Sequence, residues 1–176
     1  MKIVAGIAVK NEEWIIGKNL ESLSQYCDKI IISDDHSTDK TVEICKSFPK
    51  VELFIRPEHP WYKREEGKQR IELWKEVIKH NPDYILLLDG DEIPTPSIIN
   101  FLENIDTSVD CWRVRMINLW KDDKHYRKDR FKTSTGHEQN LDPFSKDSWK
   151  KTVLLKYNLD YNYTYNSKVE KGPVSK

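Results

Sequence analysis

The segment YILLLDGDE, residues 84–92, sets five apolar or aromatic residues directly before an acidic cluster. The apolar run follows Asn81-Pro82 and is too short for a free-standing helix, so we expect a strand buried on both faces of a parallel sheet. In open α/β sheets the ligand crevice lies at the carboxyl ends of the strands. Asp89 and Asp91 should therefore reach a binding site, and Gly90 removes side-chain bulk between them.

Two carboxylates this close repel each other unless a positive charge lies between them. A hard divalent cation with a phosphate behind it would supply that charge. A solvated acidic turn after a strand would explain an isolated Asp-x-Asp equally well. Whether this is a cation site or a solvated turn depends on which other residues accompany it.

The composition is that of a globular protein without a strong charge bias. The chain has 176 residues, 33% of them charged, with 29 basic and 29 acidic side chains. This fits one domain, and the zero net charge argues against a general nucleic-acid binder. No apolar run approaches the ~20 residues that span a bilayer, so we expect no transmembrane segment and a cytoplasmic location, with peripheral membrane contact left open. Cys27, Cys45 and Cys111 are predicted to be buried free thiols.

Strand and helix patterns alternate over residues 1–105. The predicted strands cover residues 2–9, 29–33, 51–55 and 84–88. Helices are predicted to begin at the acidic segment 10–13, after the capping residues 37–39, after a loop over 56–67, and at Thr95 as N-cap. This order predicts an α/β fold with a mostly parallel central sheet flanked by helices.

Residues 106–176 have a different character. Trp112, Val114 and Met116 alternate with polar residues as in a half-exposed strand. Residues 121–147 are highly charged and irregular, and residues 153–165 are aromatic and β-prone. We expect a smaller β-rich half of the same domain here, either compact or cut from a longer protein.

Three polar segments follow predicted strands: Lys10-Asn11-Glu12-Glu13, then DDHSTDKT at residues 34–41, then Asp89-Gly90-Asp91-Glu92. Together they resemble the nucleotide-sugar-binding half of family 2 glycosyltransferases with the GT-A fold, over residues 1–102. The chain departs from the family pattern at His36, where a glycine is usual. Because His tolerates positive φ better than most residues, this departure predicts a different turn rather than a lost motif.

The resemblance implies a metal-assisted transfer from a UDP- or GDP-sugar to a glycan or lipid-linked hydroxyl. It implies that Asp89 reaches the ribose and that Asp91 binds Mn²⁺ or Mg²⁺. The residues implied to hold the nucleotide sugar are Ala8, Val9, Glu12, Asp34, Asp35, Arg64, Arg70, Asp89 and Gly90. Helix-capping and turn formation are the alternative for the Asp34-Asp35 pair, and a solvated surface position is the alternative for each arginine.

An inverting enzyme of this kind needs a carboxylate that deprotonates the acceptor hydroxyl. The Glu-Asp pair usual in the family is absent. We therefore take Glu138 as the first candidate base, with Asp142 and then Asp147 next, and His137 as a candidate third metal ligand. A surface His-Glu pair without function is the alternative.

Two other functions compete with transfer. LLLDGDEI also resembles the nucleophile motif of haloacid dehalogenase-like phosphatases, in which Asp89 would attack phosphorus. That motif normally follows the first strand, whereas this one follows three strand–helix units. A nucleotide-sugar-binding module with weak or no catalysis is the non-enzymatic alternative.

Overall fold

The computed structural model describes residues 1–57, 66–133, 136–148 and 150–157, and four short strands beyond them. Its helices are α1 (Ile16–Leu23), α2 (Thr41–Lys46), α3 (Glu66–Ile78) and α4 (Ser97–Glu103). The first strands are β1 (Ile3–Val9), β2 (Lys29–Asp34), β3 (Val51–Ile55), β4 (Tyr84–Asp89) and β5 (Cys111–Arg115). Those that follow are β6 (Leu119–Trp120), β7 (Asp122–Tyr126), β8 (Arg130–Lys132), β9 (Glu138–Asn140), β10 (Lys150–Lys156), β11 (Tyr161–Asn162), β12 (Tyr165–Asn166), β13 (Val169–Glu170) and β14 (Val174–Ser175).

A six-stranded sheet in the order β3-β2-β1-β4-β10-β5 forms the centre of the domain. The strands β1 to β4 pair in parallel, whereas β10 is antiparallel to both of its neighbours. The predicted α/β fold with a mostly parallel sheet is therefore confirmed. The second half of the chain supplies β5 and β10 to this same sheet.

Both faces of β1, β2 and β4 are buried, which explains the continuous apolar runs of these strands. One face packs against α1, α2 and α4, with Leu20 and Leu102 among the buried contacts. The other face packs against α3 through Leu73, Trp74 and Val77. At Gly6 a Cβ atom would lie 2.9 Å from a methyl group of Val77, so the glycine permits the close approach of α3 to β1.

Several local predictions need correction. Helix α1 begins at Ile16, not at the acidic segment, and has no acid in its first turn. The N-caps of α2 and α4 are Lys40 and Pro96 instead of the predicted polar residues, and neither cap makes a side-chain hydrogen bond. Cys27 and Cys45 are buried as expected, but Cys111 is exposed because it lies on the edge strand β5.

The segment predicted to be irregular, residues 121–147, contains one short hairpin and the second strand of another. β6 pairs with β7, and β8 pairs with β9. Helix α3 begins at Glu66, so it includes the last two residues of the loop predicted over 56–67. Arg64, a predicted ligand of the nucleotide sugar, lies outside the described residues.

Candidate active site

The carboxyl ends of β1, β2 and β4 meet at one edge of the sheet. Val9 pairs with Asp34, and Ala8 pairs with Asp89 on its other side. The prediction that Ala8, Asp34 and Asp89 share one edge is therefore confirmed. Because parallel strands in register end together, residues from three distant segments meet here without any motif linking them.

The two acids after β2 have different surroundings. Asp34 is fully buried, and its Oδ2 accepts a hydrogen bond from the Ser37 amide at 3.0 Å. His36 adopts a φ of 58°, as the sequence predicted for the position where the family has glycine. Asp35 is partly exposed and pairs with Lys10 and Arg56, each at 3.2 Å. Asp35 is therefore the member of the pair that meets solvent, while Asp34 shapes the turn.

Backbone amides of residues 11–13 donate hydrogen bonds to side chains of residues 37–41. The Asn11 amide donates to Ser37 Oγ at 2.9 Å, and the Glu12 amide donates to Thr41 Oγ1 at 2.7 Å. Asn11 has a φ of 56°, so the chain turns here rather than entering a helix. This pairing explains why α1 begins late, and it brings Glu12 to the same edge as Asp35.

The DGDE loop, residues 89–92, is held by two cations. Arg70 Nη2 donates to Asp89 Oδ1 at 3.0 Å, and Lys151 Nζ donates to Asp89 Oδ2 at 2.7 Å. Lys151 also contacts Glu92 at 2.7 Å and is almost completely buried. Burial raises the pKa of Asp89, but Lys151 and Arg70 outweigh it and hold that pKa below its usual range. Asp89 is therefore an ionised carboxylate at neutral pH.

Asn19, on α1, fixes the backbone of the same loop through hydrogen bonds. Its side-chain amide is fully buried and donates to the carbonyl oxygens of Asp89, Gly90 and Glu92 at 3.4, 3.1 and 2.8 Å. A Cβ atom on Gly90 would lie 3.0 Å from Glu12 Cγ and 3.0 Å from Val9 Cγ1. The glycine therefore lets the loop pack directly against the end of β1.

Asp91 differs from its two acidic neighbours. It is exposed, and within the described part of the chain its carboxylate accepts no hydrogen bond and pairs with no cation. Burial raises the pKa of Glu12, and the nearby Asp91 carboxylate raises it further. Glu12 and Asp91 thus share a region of uncompensated negative charge, which fits a divalent cation.

A complete metal site is not formed by the protein alone. Among residues 1–57, 66–133, 136–148 and 150–157, no group of three His, Cys, Asp or Glu side chains is arranged to hold a metal ion. Both Asp89 oxygens contact cations, so Asp91 is the acid of the loop that is available as a ligand. The structure does not bring His137 into such a group. A metal here would need further ligands from the substrate or solvent.

The three candidate bases lie on the β8–β9 hairpin and the turns after it. Glu138 pairs with Arg130 at 3.1 Å, and Arg130 also pairs with Asp147. Asp142 Oδ1 accepts a hydrogen bond from the Phe144 amide at 3.1 Å. These acids therefore take part in local contacts of their own segment.

An open cleft of about 1130 Å³ adjoins the DGDE loop. β5, the β6–β7 hairpin and the start of α4 contribute its walls, and Glu138, Asp142 and His137 are not among the lining residues. Its acids are Asp89, Asp91, Glu92 and Asp122. Its larger apolar side chains include Trp14, Ile93, Phe101, Trp112, Ile117 and Leu119. Lys151 and Asp122 were both missed by the sequence analysis, because neither belongs to a recognisable motif.

Comparison with known families agrees with this geometry. The model of glycosyl transferase family 2 matches residues 5–160, which includes the central sheet except for the first two residues of β1. The chain belongs to glycosyl transferase family 2. This membership favours neither a haloacid dehalogenase-like phosphatase nor a binding module without catalysis.

Two uncharacterized proteins, one from Mycobacterium bovis and one from Mycobacterium tuberculosis, are each 30% identical to the chain over 96 residues. The match covers 52% of this chain and 23% of each relative, so the chain spans about a quarter of their length. Their names state no activity.

Solved structures share the fold. S. aureus TarS is 16% identical and has a TM-score of 0.57, covering 89% of this chain and 47% of that chain. Glucosyl-3-phosphoglycerate synthase from M. tuberculosis, crystallised with Mn²⁺, UDP-glucose and phosphoglyceric acid, is 21% identical with a TM-score of 0.50. That alignment covers 70% of this chain and 45% of the synthase. Within the described residues, no helix is long and apolar enough to cross a membrane.

Proposed function

We propose that the chain transfers a sugar from a nucleoside diphosphate sugar, with UDP or GDP as the leaving nucleotide, to a hydroxyl of a glycan or lipid-linked acceptor. One observation carries this proposal. The ends of β1, β2 and β4 bring Ala8, Asp35 and the DGDE loop to one edge of the sheet, beside an open cleft. Such an edge is where nucleotides bind in open α/β sheets.

The donor would lie across the ends of β1 and β2. The backbone at Ala8 and Val9, with Glu12 beside it, would contact the nucleoside. Asp35 would accept hydrogen bonds from the base or the ribose, and Asp34 would keep the turn in shape. Asp89, held by Arg70 and Lys151, would present its carboxylate edge to the ribose.

Asp91 would hold Mn²⁺ or Mg²⁺ with the diphosphate as a further source of ligands. When bound, such an ion neutralises the charge that develops on the leaving diphosphate. The residues fit this role, because Asp91 pairs with no cation in the described part of the chain and shares its negative region with Glu12. Glu92 faces Lys151 and would support the loop rather than the ion.

Calorimetry of UDP and GDP tests the binding step. We expect one of the two to bind with Mn²⁺ present and to lose most of its affinity in EDTA. Equal affinity under both conditions would remove the metal from the proposal. A panel of UDP- and GDP-sugars then tests transfer: release of UDP or GDP supports a glycosyltransferase, whereas release of inorganic phosphate would support a phosphatase. Nucleotide binding without release of UDP, GDP or inorganic phosphate would indicate a binding module without catalysis.

A further inference from the structure

The acids that line the cleft fall into two groups according to their partners. Asp89 and Glu92 share the buried Lys151, and Asp89 also contacts Arg70. In the described part of the chain, Asp91 and Asp122 pair with no lysine or arginine. If Asp91 serves the metal ion, Asp122 is the remaining cleft carboxylate whose charge no Lys or Arg neutralises.

The β6–β7 hairpin holds Asp122 in a defined position. Lys121, between the paired residues Trp120 and Asp122, has a φ of 71°, the left-handed conformation that tight hairpin turns use. Asp122 Oδ1 accepts hydrogen bonds from the amides of Lys124 and His125, each at 2.9 Å. These bonds fix the carboxylate on the wall of the cleft although the hairpin is short.

His125 gives the Asp122 carboxylate a hydrogen-bond partner within the same hairpin. Its Nδ1 lies 2.7 Å from Oδ1 and 2.9 Å from Oδ2 of Asp122. The bond from His125 is the main reason that the pKa of Asp122 lies below its usual range. The carboxylate is therefore ionised at neutral pH, as a group that accepts a proton must be.

We propose that Asp122, oriented by His125, is the general base that activates the acceptor hydroxyl in the cleft. This inference rests on the proposed function and replaces Glu138 in that role. Glu138 pairs with Arg130 on another hairpin and does not line the cleft, whereas Asp122 lines it together with Asp91. A base must come within hydrogen-bond reach of the attacking hydroxyl, so a position in the cleft is the first requirement.

The proposed step is a direct displacement at the anomeric carbon. The acceptor oxygen forms a bond to the anomeric carbon while its proton passes to the Asp122 carboxylate. The bond between the anomeric carbon and the diphosphate oxygen breaks, and its electron pair leaves with UDP or GDP. The new carboxylic acid then loses its proton to solvent. Attack from the face opposite the leaving group inverts the anomeric configuration.

Asp122→Ala tests the inference in an assay of the sugar nucleotide that wild type turns over fastest, with water as the acceptor. We expect release of UDP or GDP to fall by about 10²–10⁴-fold, the usual worth of a positioned base. Calorimetric affinity for UDP or GDP should stay at the wild-type value. Asp106→Ala is the matched control, because Asp106 is exposed and accepts the amide of Ser108 at 3.0 Å, as Asp122 accepts that of Lys124 at 2.9 Å.

Azide distinguishes a lost base from a damaged hairpin, since it is a nucleophile that needs no deprotonation. Azide should restore turnover of Asp122→Ala and yield a glycosyl azide of inverted configuration, without accelerating Asp106→Ala. Normal turnover in Asp122→Ala, or a loss that azide does not restore, would overturn the inference. If Glu138→Gln lost most of its turnover while Asp122→Ala kept the wild-type turnover, the general base would be Glu138.

The wild-type measurements separate this inference from the function on which it rests. A wild-type chain that neither binds UDP or GDP nor turns over any donor would refute the proposed function and the role of Asp122 together. A wild-type chain that does both, with an Asp122→Ala variant that is equally active, would refute the role of Asp122 alone.

Discussion

Replacing Lys151 with Met should destabilise the fold by about 3 kcal/mol at pH 7. Lys151 is 7% exposed and neutralises both Asp89 and Glu92, and Met keeps the apolar stem while removing the charge. Breaking a buried ion pair by removing one partner typically costs ~3–5 kcal/mol. Asp89 keeps Arg70 at 3.0 Å and is 38% exposed, so we place the cost at the lower end of that range.

The cost should depend on pH in a definite direction. The pKa of Asp89 in the folded protein lies below its ordinary value of 3.8 because Lys151 and Arg70 outweigh burial. A carboxylate whose pKa is lower in the folded protein than in the unfolded chain stabilises the fold at any pH above its unfolded-chain pKa. That stabilisation is lost as the pH falls through its folded-state pKa. The difference between wild type and Lys151→Met should therefore be largest near pH 7 and shrink below about pH 4.

Urea denaturation at pH 7 and at pH 3 measures both effects. Lys151→Arg should recover most of the stability at pH 7, since it keeps the charge. Lys79→Met is the surface control: that lysine pairs with Glu76 at 2.6 Å but is 64% exposed, so its loss should cost about 0.5 kcal/mol or less. A Lys151→Met cost as small as that of Lys79→Met, or one that does not change with pH, would refute the ion-pair reasoning.

Three further substitutions test the site. Asn19→Leu should cost about 2–3 kcal/mol in urea denaturation, because one buried and two partly buried backbone contacts of the DGDE loop lose their donor. A neutral result would mean that water replaces the amide. Gly90→Ala should cost about 1 kcal/mol and weaken UDP or GDP affinity several-fold, since its Cβ would lie 3.0 Å from both Glu12 and Val9; unchanged affinity would show that Glu12 moves without consequence. Asp91→Asn should keep the unfolding free energy within about 0.5 kcal/mol, since its side chain is exposed, yet abolish the Mn²⁺-dependent part of nucleotide affinity measured by calorimetry. Retained Mn²⁺ dependence would remove Asp91 from the metal site.

The local pattern of apolar and polar residues was sufficient to predict the strands and the sheet type of the first half of the chain. The apolar run of residues 84–88 predicted a strand buried on both faces, and β4 occupies that place beside β1. The alternation of strands and helices predicted a parallel sheet, and parallel register alone then places Asp34 and Asp89 at one edge. These inferences hold because side-chain burial repeats with the period of the local backbone.

Helix starts were less predictable, because polar side chains near a helix can bond elsewhere. The acids at residues 12–13 read as a first helical turn, yet their amides donate to Thr41 and Asp39 in the neighbouring loop. Of the predicted caps at residues 37–39, Ser37 accepts from the Asn11 amide instead, whereas Asp39 does accept the amide of Thr41, the first residue of α2. The choice between a cap and a contact with another segment depends on which segment lies next to it in the folded chain.

The sequence by itself determined that Asp89 and Asp91 follow a buried strand at a ligand-binding edge, because a short apolar run and an acidic turn are local features. Only the tertiary structure decided what each acid faces. Lys151 reaches Asp89 across 62 positions because β10 enters the sheet antiparallel to β4. The β6–β7 hairpin likewise sets Asp122 on the wall of the same cleft. Such contacts depend on strand order, which carries no periodic signal along the chain, so the charge balance of the site appears only once the sheet is assembled.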